Sequence, residues 1–233
     1  MEHIDKIDGT FDRRAAEIKS TVSVAVIKRL PRYHRYLGDL LREGRMRISS
    51  AELSKIMGVT ASQIRQDLNC FGGFGQQGYG YNIKYLHGKI SDLLGVSEGY
   101  KAVIVGAGNL GRALAATHMF SRRGVSVVAL FDNNPEIIST QIYGLPVYSV
   151  DNLGSYCKNE GVNIGILTVP KEAAICVAEV MADAGVMGLW NFANMELTPP
   201  TKNVIVENIH LGDSLMTLCY EMKSASAKED KND

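Results

Sequence analysis

The segment Val103–Leu114 reads VIVGAGNLGRAL and determines the fold of a large part of this chain. An apolar run of strand length comes first, a glycine turn follows, and a helical pattern begins directly after it. The turn has the spacing Gly106-x-Gly108-x-x-Gly111, which brings a helix N-terminus and backbone N–H groups toward a pyrophosphate. The segment therefore predicts a strand, turn and helix built to hold a dinucleotide.

An acidic residue stands where such a site needs one. Asp132 ends the next apolar run, 21 residues beyond Gly111, where a carboxylate accepts hydrogen bonds from the adenosine ribose. No arginine follows it immediately, and the carboxylate would repel a 2′-phosphate. We therefore expect NAD(H) in preference to NADP(H).

The second half of the chain alternates between strand and helix patterns. Apolar runs of strand length are separated by helical patterns such as residues 172–184. The predicted strands cover residues 101–105, 125–131, 163–169, 186–192 and 204–206. This alternation predicts an α/β fold with a doubly wound, mostly parallel sheet covered on both faces.

The two halves of the chain carry opposite charge, although the total is zero. Residues 1–89 hold 15 Lys and Arg against 9 Asp and Glu, and residues 90–233 hold 10 against 16. A basic block attracts a polyanion, and a solvated basic face without a partner is the alternative. Charge alone does not separate the two.

Two helix starts follow one another in the basic half. Ser49-x-x-Glu52 and Thr60-x-x-Gln63 each fit a capping box, and Gly58 lies between them. Two short helices joined by a tight turn predict a helix-turn-helix unit. Simple packing of two helices is the alternative.

The second of these helices has a polar face suited to DNA. Ala61, Ile64 and Leu68 fall on the inward face, so the remaining side chains point outward. Gln and Asn pair with adenine and Arg pairs with guanine when a helix lies in the major groove. The predicted reading residues are Ser62, Gln63, Arg65, Gln66 and Asn69.

Basic and glycine-rich segments flank this unit. Upstream, a helix predicted to begin near Pro31 and to reach Leu41 is surrounded by Arg29, Arg32 and Arg35, which we expect over phosphates. Downstream, residues 71–81 interleave five glycines with aromatics and predict a β-hairpin wing that includes Phe74 and Gly75. Without the preceding helices, this segment could equally be a linker.

Other function classes find less support. The four cysteines have no C-x-x-C spacing, so we expect free thiols and no metal site. The acidic start and the lack of a long apolar run predict a cytoplasmic protein without a membrane span. An NAD-dependent oxidoreductase with a basic appendage is the main alternative, but no histidine has a catalytic context. A sheet that binds CoA or a nucleotide as an interaction module is a third possibility.

The final segment predicts an amphipathic helix. Its apolar stripe must be buried against its own domain or a second subunit, and two copies would match a palindromic DNA site. The stripe comprises Leu211, Leu215, Leu218, Cys219 and Met222. We therefore divide the chain into a winged-helix domain at 1–88, a Rossmann domain at 89–210 and a dimerisation helix and tail at 211–233.

Several ordered motifs together resemble the Rex family of redox-sensing transcriptional repressors over nearly the whole chain. They are RLPRYHRYL, the stretch from SSAELSKIMG to YGYN, VIVGAGNLGRAL, LTVPKEAA, NFAN and the final helix. The resemblance implies a homodimer on operator DNA with its C-terminal helices exchanged. It also implies that NADH releases the DNA, whereas NAD+ competes with NADH or favours DNA binding.

The resemblance also implies roles for individual residues. Asp132 would bind the adenosine ribose, and Asn191 and Phe192 would lie near the nicotinamide. Asn194 and Thr117 depart from the family pattern, which has proline at the first position and an aromatic near the second. The implied pyrophosphate turn and cofactor lining comprise Gly106, Ala107, Gly108, Asn109, Leu110, Gly111, Thr168, Val169 and Pro170.

Overall fold

The structure is a computed structural model that describes residues 23–70, 75–76 and 79–229. The chain divides into two compact units between Glu98 and Gly99. The boundary predicted from the sequence lies between residues 88 and 89. The difference arises because the helix Ile83–Leu93 continues past that point and buries Ile90 in the core of the first unit.

The first unit is a helix-turn-helix with a small sheet. Its elements are α1 (Val24–Arg42), β1 (Arg47–Ile48), α2 (Ser50–Met57), α3 (Ala61–Asn69), β2 (Gly75–Gln76), β3 (Gly80–Asn82) and α4 (Ile83–Leu93). The three strands lie in the order β1-β3-β2, and both pairings are antiparallel. The hairpin of β2 and β3 agrees with the predicted wing.

Helix α1 begins earlier than the sequence suggested. Ser23 is its N-cap, with a side-chain oxygen that accepts from the Val26 amide at 3.4 Å, and Pro31 lies inside the helix. A proline within a helix removes one backbone hydrogen bond and usually kinks or breaks it. Here one buried stripe continues from Val26 through Leu30 to Leu37, so packing on both sides of Pro31 keeps the helix intact.

The two capping boxes form to different extents. At α2, the Ser49 oxygen accepts from the Glu52 amide at 3.1 Å, and the Glu52 carboxylate accepts from the Ser49 amide at 2.9 Å. At α3, Thr60 accepts from the Gln63 amide at 3.1 Å, but the Gln63 side chain turns away. The predicted second box is therefore only half formed. Gly58 ends α2 in the left-handed conformation and allows the tight turn between the helices.

The second unit is a seven-stranded sheet with helices. Its strands are β4 (Tyr100–Val105), β5 (Val125–Asp132), β6 (Gln141–Ile142), β7 (Leu145–Ser149), β8 (Ile164–Leu167), β9 (Gly188–Asn191) and β10 (Ile205–Asn208). Its α-helices are α5 (Asn109–Ala115), α6 (Leu153–Glu160), α7 (Lys171–Asp183) and α8 (Leu211–Glu229). Short 3₁₀ turns cover Ser121–Arg123 and Val150–Asn152.

The order of the strands is β10-β9-β8-β4-β5-β7-β6, and only β6 runs antiparallel to its neighbour. This confirms the predicted doubly wound parallel sheet. The chain leaves β4 toward β5 on one side and returns to β8 on the other, so the switch point of the sheet, where open α/β sheets form a binding crevice, lies at the carboxyl ends of β4 and β8. The hairpin of β6 and β7 was missed. It turns at Tyr143 and Gly144, both with positive φ.

The apolar stripe of α8 is exposed within its own unit. Leu211, Leu215 and Leu218 are 64, 61 and 51% exposed. These three side chains are therefore not buried against their own domain, which was one of the two predicted possibilities. Among the described residues, no helix has the length and apolar character to cross a membrane.

Candidate functional site

The predicted glycine turn lies at the carboxyl end of β4. Gly106 has a φ of +99° and its amide donates to the Phe131 carbonyl at 2.8 Å. Gly108 is the N-cap of α5 and is exposed. The first amide groups of α5 therefore face the crevice without side-chain cover from the cap, which suits an approaching anion.

Thr168 completes the turn from the neighbouring strand. Its amide donates to the Val105 carbonyl at 2.9 Å, and its hydroxyl donates to the Gly106 carbonyl at 2.7 Å. A Cβ on Gly106 would lie 2.6 Å from the Thr168 carbonyl oxygen, and a Cβ on Gly111 would overlap the Gly106 carbonyl. Because neither glycine has a side chain, the turn after β4 can lie against Thr168 at Gly106 and against α5 at Gly111.

Asp132 lies at the predicted end of β5 and contacts the turn. Its Oδ2 accepts from the Ala107 amide at 2.6 Å, and its Oδ1 accepts from the Asn134 amide at 2.8 Å. Arg112 donates from Nε to the Ala107 carbonyl at 2.8 Å. The sequence had not singled out Arg112. Asp132 and Arg112 together fix Ala107, and the half-exposed carboxylate has lone pairs left over to accept further hydrogen bonds.

The two residues placed at the nicotinamide end have different surroundings. Asn191 is fully buried, donates to the Met195 carbonyl and to Asn208 Oδ1 at 3.0 and 2.8 Å, and accepts from the Ala193 amide at 2.9 Å. Its carboxamide therefore holds the loop after β9. Phe192 is half-buried and packs edge-on against Trp190, with ring centroids 4.6 Å apart.

A hydrogen-bond chain leads from Asn191 to the start of α8. Asn208 donates to Glu196 Oε1 at 3.1 Å, and Glu196 Oε2 pairs with His210 Nε2 at 2.9 Å. His210 immediately precedes α8. Sequence reasoning missed Asn208 and Glu196 because neither belongs to a motif, and only their strand and loop positions bring them together.

Helix α3 presents most of the predicted DNA-reading face. Ile64 and Leu68 are fully buried, as expected for its inner side. Four of the five predicted reading residues are exposed: Ser62, Arg65, Gln66 and Asn69. These four line one open groove together with Cys70. Arg65 is oriented by a hydrogen bond from Nη1 to Ser50 Oγ at 3.1 Å.

Two predicted DNA contacts are engaged elsewhere. Gln63 is only partly exposed and donates from Nε2 to Asp67 Oδ1 at 2.8 Å. Arg29 donates from Nε and Nη2 to the two Asp67 oxygens, each at 2.7 Å. Asp67 itself is fully buried and was not recognised from the sequence. In this structure the Arg29 guanidinium therefore pairs with Asp67 inside the unit.

The remaining basic and wing residues stay available to different degrees. Arg32 is exposed but donates to the Met57 carbonyl at 2.7 Å, where it caps the end of α2. Arg35 is exposed beside the Tyr36 ring, 5.2 Å from its centroid. Gly75 pairs with Tyr81 in the wing, whereas Phe74 lies outside the described residues.

The cysteines are free thiols, as the sequence suggested. Cys157 is buried, and burial raises its thiol pKa to about 11, whereas Cys70, Cys176 and Cys219 are exposed. In the part of the chain that the structure describes, no group of three His, Cys, Asp or Glu side chains could hold a metal ion.

Comparison with known proteins matches both units. The family model "CoA binding domain" matches residues 97–195, and "Putative DNA-binding protein N-terminus" matches residues 21–69. A protein of Clostridium botulinum strain Eklund 17B, named redox-sensing transcriptional repressor Rex, is 49% identical over 86% of this chain and 95% of its own. The protein of the same name from strain Hall is 51% identical over 86% and 95%.

The chain belongs to the Rex family of redox-sensing transcriptional repressors.

Solved Rex structures agree with this assignment. The crystal structure of RSP in complex with β-NAD+ and operator DNA is 46% identical, has a TM-score of 0.83 and covers 90% of this chain and 96% of that one. RSP in complex with β-NADH is 43% identical, with a TM-score of 0.82 and coverage of 90 and 98%. The α/β fold with an N-terminal DNA-binding unit is thereby confirmed.

Membership of the Rex family also decides between the functional alternatives. Its named relatives are transcriptional repressors, so the regulator is favoured over the NAD-dependent oxidoreductase.

The two residues that the sequence singled out as departures from the Rex pattern, Thr117 and Asn194, are both exposed. The Thr117 hydroxyl donates to the Leu114 carbonyl at 3.1 Å at the end of α5.

Proposed function

We propose that this chain represses transcription as a homodimer on palindromic operator DNA and that NADH binding releases it. The observation that carries the proposal is the likeness to RSP, which was crystallised with β-NAD+ and operator DNA and, separately, with β-NADH. These structures cover about nine-tenths of this chain, including residues of both units. The protein would act in the cytoplasm, where DNA and the nicotinamide pool meet.

The exposed face of α3 would read the operator from the major groove. Arg65 suits a guanine edge, and Gln66 and Asn69 suit adenine edges. Arg32 and Arg35 would contact phosphates, which position the protein without reading sequence. The wing, with Phe74 and Gly75, would contact the adjoining backbone or minor groove.

The crevice at the ends of β4 and β8 would hold the dinucleotide. Its pyrophosphate would lie over the turn from Gly106 to Gly111, and its adenosine ribose would bind Asp132. Thr168, Val169 and Pro170 would line the crevice from the β8 side. The partly buried rings of Phe192 and Trp190 offer apolar surface, which favours the neutral nicotinamide of NADH over the charged ring of NAD+.

Coupling between cofactor and DNA would operate through the dimer. The exposed leucines of α8 supply an apolar face for exchange with a second copy. Two recognition helices must match half-sites about 34–36 Å apart, and NADH would favour an arrangement that does not. A coupling of about 1–3 kcal/mol changes affinity by about 5- to 150-fold, so two bound NADH molecules would act together.

A mobility-shift titration tests this function. The full-length protein selects duplexes from a random pool without cofactor, and its affinity for an enriched duplex is then measured with saturating NADH and saturating NAD+. We expect weaker binding with NADH. Equal affinities would contradict the proposal, as would failure to enrich any sequence. Incubation with NADH and carbonyl compounds is the companion assay, in which a sensor shows no loss of nicotinamide absorbance.

A further inference from the structure

Among the described residues of the first unit, Asp67 is the one fully buried carboxylate. It lies on the inner side of α3, between Ile64 and Leu68, where a charged group is stable only with several hydrogen-bond donors. It receives two from Arg29, at 2.7 Å each, one from the Tyr33 hydroxyl at 2.9 Å and one from Gln63 Nε2 at 2.8 Å. We call these four residues the Asp67 network.

The Asp67 network is fully satisfied and charged. Two carboxylate oxygens offer about four lone-pair sites, which is the number of donors present. Burial raises the Asp67 pKa, but the hydrogen bonds from Arg29, Gln63 and Tyr33 together outweigh it and hold that pKa below its usual value. Burial and the hydrogen bond to Asp67 raise the Tyr33 pKa well above its ordinary value. The carboxylate therefore remains ionised at any pH at which the protein would bind DNA.

The network fixes the rotation of α3 about its own axis. Arg29 and Tyr33 belong to α1, so their hydrogen bonds tie one side of α3 to a second helix. At 100° per residue, Asp67 lies roughly opposite the exposed stripe that contains Ser62, Arg65, Gln66 and Asn69. A rotation of α3 about its axis by less than the 100° that separates successive residues would break the bidentate pair between Arg29 and Asp67. It would also displace every side chain that is proposed to read the DNA.

The network also orients Gln63. A carboxylate can only accept hydrogen bonds, so the amide nitrogen of Gln63 must face Asp67 and its carbonyl oxygen faces away. Gln63 lies between Asp67 and the exposed stripe. Its partly exposed carboxamide is therefore held at the margin of the groove in one orientation.

We propose that Asp67 is the positioning residue for sequence readout, and that Arg29 serves Asp67 instead of a phosphate. The inference rests on the proposed operator binding. Base readout requires donors and acceptors at defined places, whereas attraction to phosphates depends mainly on charge. Loss of the network should therefore reduce sequence discrimination more than it reduces binding to DNA in general.

Two variants test these statements against the enriched duplex and a shuffled duplex of the same composition. Asp67→Asn should lower the ratio of the two affinities at least tenfold, because several base contacts depend on the placement of α3. Arg29→Met should lower the same ratio and leave the dependence of binding on salt concentration unchanged. As a matched control, Arg35→Met should reduce the salt slope by about one per protomer and keep the ratio.

Folding is followed separately. Circular dichroism measures whether the helices are formed, and NADH affinity measures whether the second unit is intact. None of the substituted residues belongs to the second unit. If Asp67→Asn does not fold, the neutral pair Arg29→Met with Asp67→Leu replaces the ion pair by apolar groups, a change that other proteins tolerate. That double variant must lose discrimination as well, because Gln63 and Tyr33 have lost their acceptor.

The contrary results are distinct. A reduced salt slope with an unchanged affinity ratio in Arg29→Met would show that Arg29 contacts a phosphate and would overturn the inference. Equal losses on both duplexes in the folded Asp67 variants would overturn it too, since they would mean a purely structural role. Failure of the wild-type protein to enrich any sequence would instead defeat the proposed function.

Discussion

The two units form their candidate sites by different means. In the second unit, backbone approaches backbone at Gly106 and Gly111, and the site consists largely of main-chain groups. In the first unit, the site is a row of side chains on α3, supported on the opposite side of the helix by the ion pair between the buried Asp67 and the partly exposed Arg29. Addition of atoms should therefore damage the nucleotide site most, whereas removal of atoms should damage the DNA site most.

The largest expected effect comes from a single methyl group at Gly111. In Gly111→Ala the new Cβ would overlap the Gly106 carbonyl and lie 2.9 Å from Thr168 Oγ1. Because backbone on both sides must shift, we expect the second unit to lose about 3 kcal/mol of unfolding free energy or more. NADH binding should be lost with it. Trp190, the only tryptophan, reports thermal unfolding of this unit by fluorescence.

Gly108→Ala is the matched control for that change. A Cβ on Gly108 would meet nothing within 4 Å, and its φ of −73° suits alanine. The unit should keep its thermal midpoint, while the methyl group at the start of α5 weakens NADH binding. If both variants unfolded alike, tight backbone approach would not be what distinguishes this site.

The next effect concerns Asp132, the side chain of the nucleotide site that would bind the ribose. Asp132→Ala removes the carboxylate that would bind the ribose and that now accepts from the Ala107 amide. Hydrogen bonds to a charged group contribute about 1.5–3 kcal/mol, so NADH should bind roughly 10- to 150-fold more weakly. Titration of NADH fluorescence measures this. Unchanged affinity would favour the reading of this sheet as an interaction module.

The contrast also explains what the sequence could reveal. The glycine turn, Asp132 at the end of β5 and the five predicted strands follow from local patterns, and the structure has all of them, with the hairpin of β6 and β7 in addition. The Asp67 network joins residues 38 positions apart, so nothing near Arg29 shows that its charge is already used. The predicted start of α1 near Pro31 was wrong for the same reason, because tertiary packing on both sides of the proline keeps the helix continuous from Val24. Local rules thus found the backbone site well and the side-chain site only in part.

Arg65 provides the corresponding removal in the DNA unit. Arg65→Ala shortens an exposed side chain, so the fold should stay intact. We expect operator affinity to fall by about 1–3 kcal/mol and base preference to relax at one position. NADH affinity should not change. Normal operator affinity would remove Arg65 from the readout and leave the exposed groove of α3 without its guanine contact.

The smallest effect concerns the cap that begins α2. Ser49→Ala removes the N-cap oxygen that accepts from the Glu52 amide, and loss of such a cap costs about 1 kcal/mol. The thermal midpoint of the first unit, followed by circular dichroism, should fall slightly, and the unfolding of the second unit reported by Trp190 should not change. Glu52→Gln tests the other half of the capping box.

The pH dependence of the Glu52 contribution follows from its hydrogen bonds. The Ser49 amide and hydroxyl, with Arg45, lower the Glu52 pKa to about 2. A carboxylate whose pKa is lower when folded stabilises the protein above its unfolded pKa, and that contribution is lost as the pH falls through the folded value. The midpoint difference between wild type and Glu52→Gln should therefore be constant near neutral pH and shrink between about pH 4.5 and pH 2. A constant difference down to pH 2 would mean that the carboxylate charge does not contribute to the cap, and that geometry alone holds the start of α2.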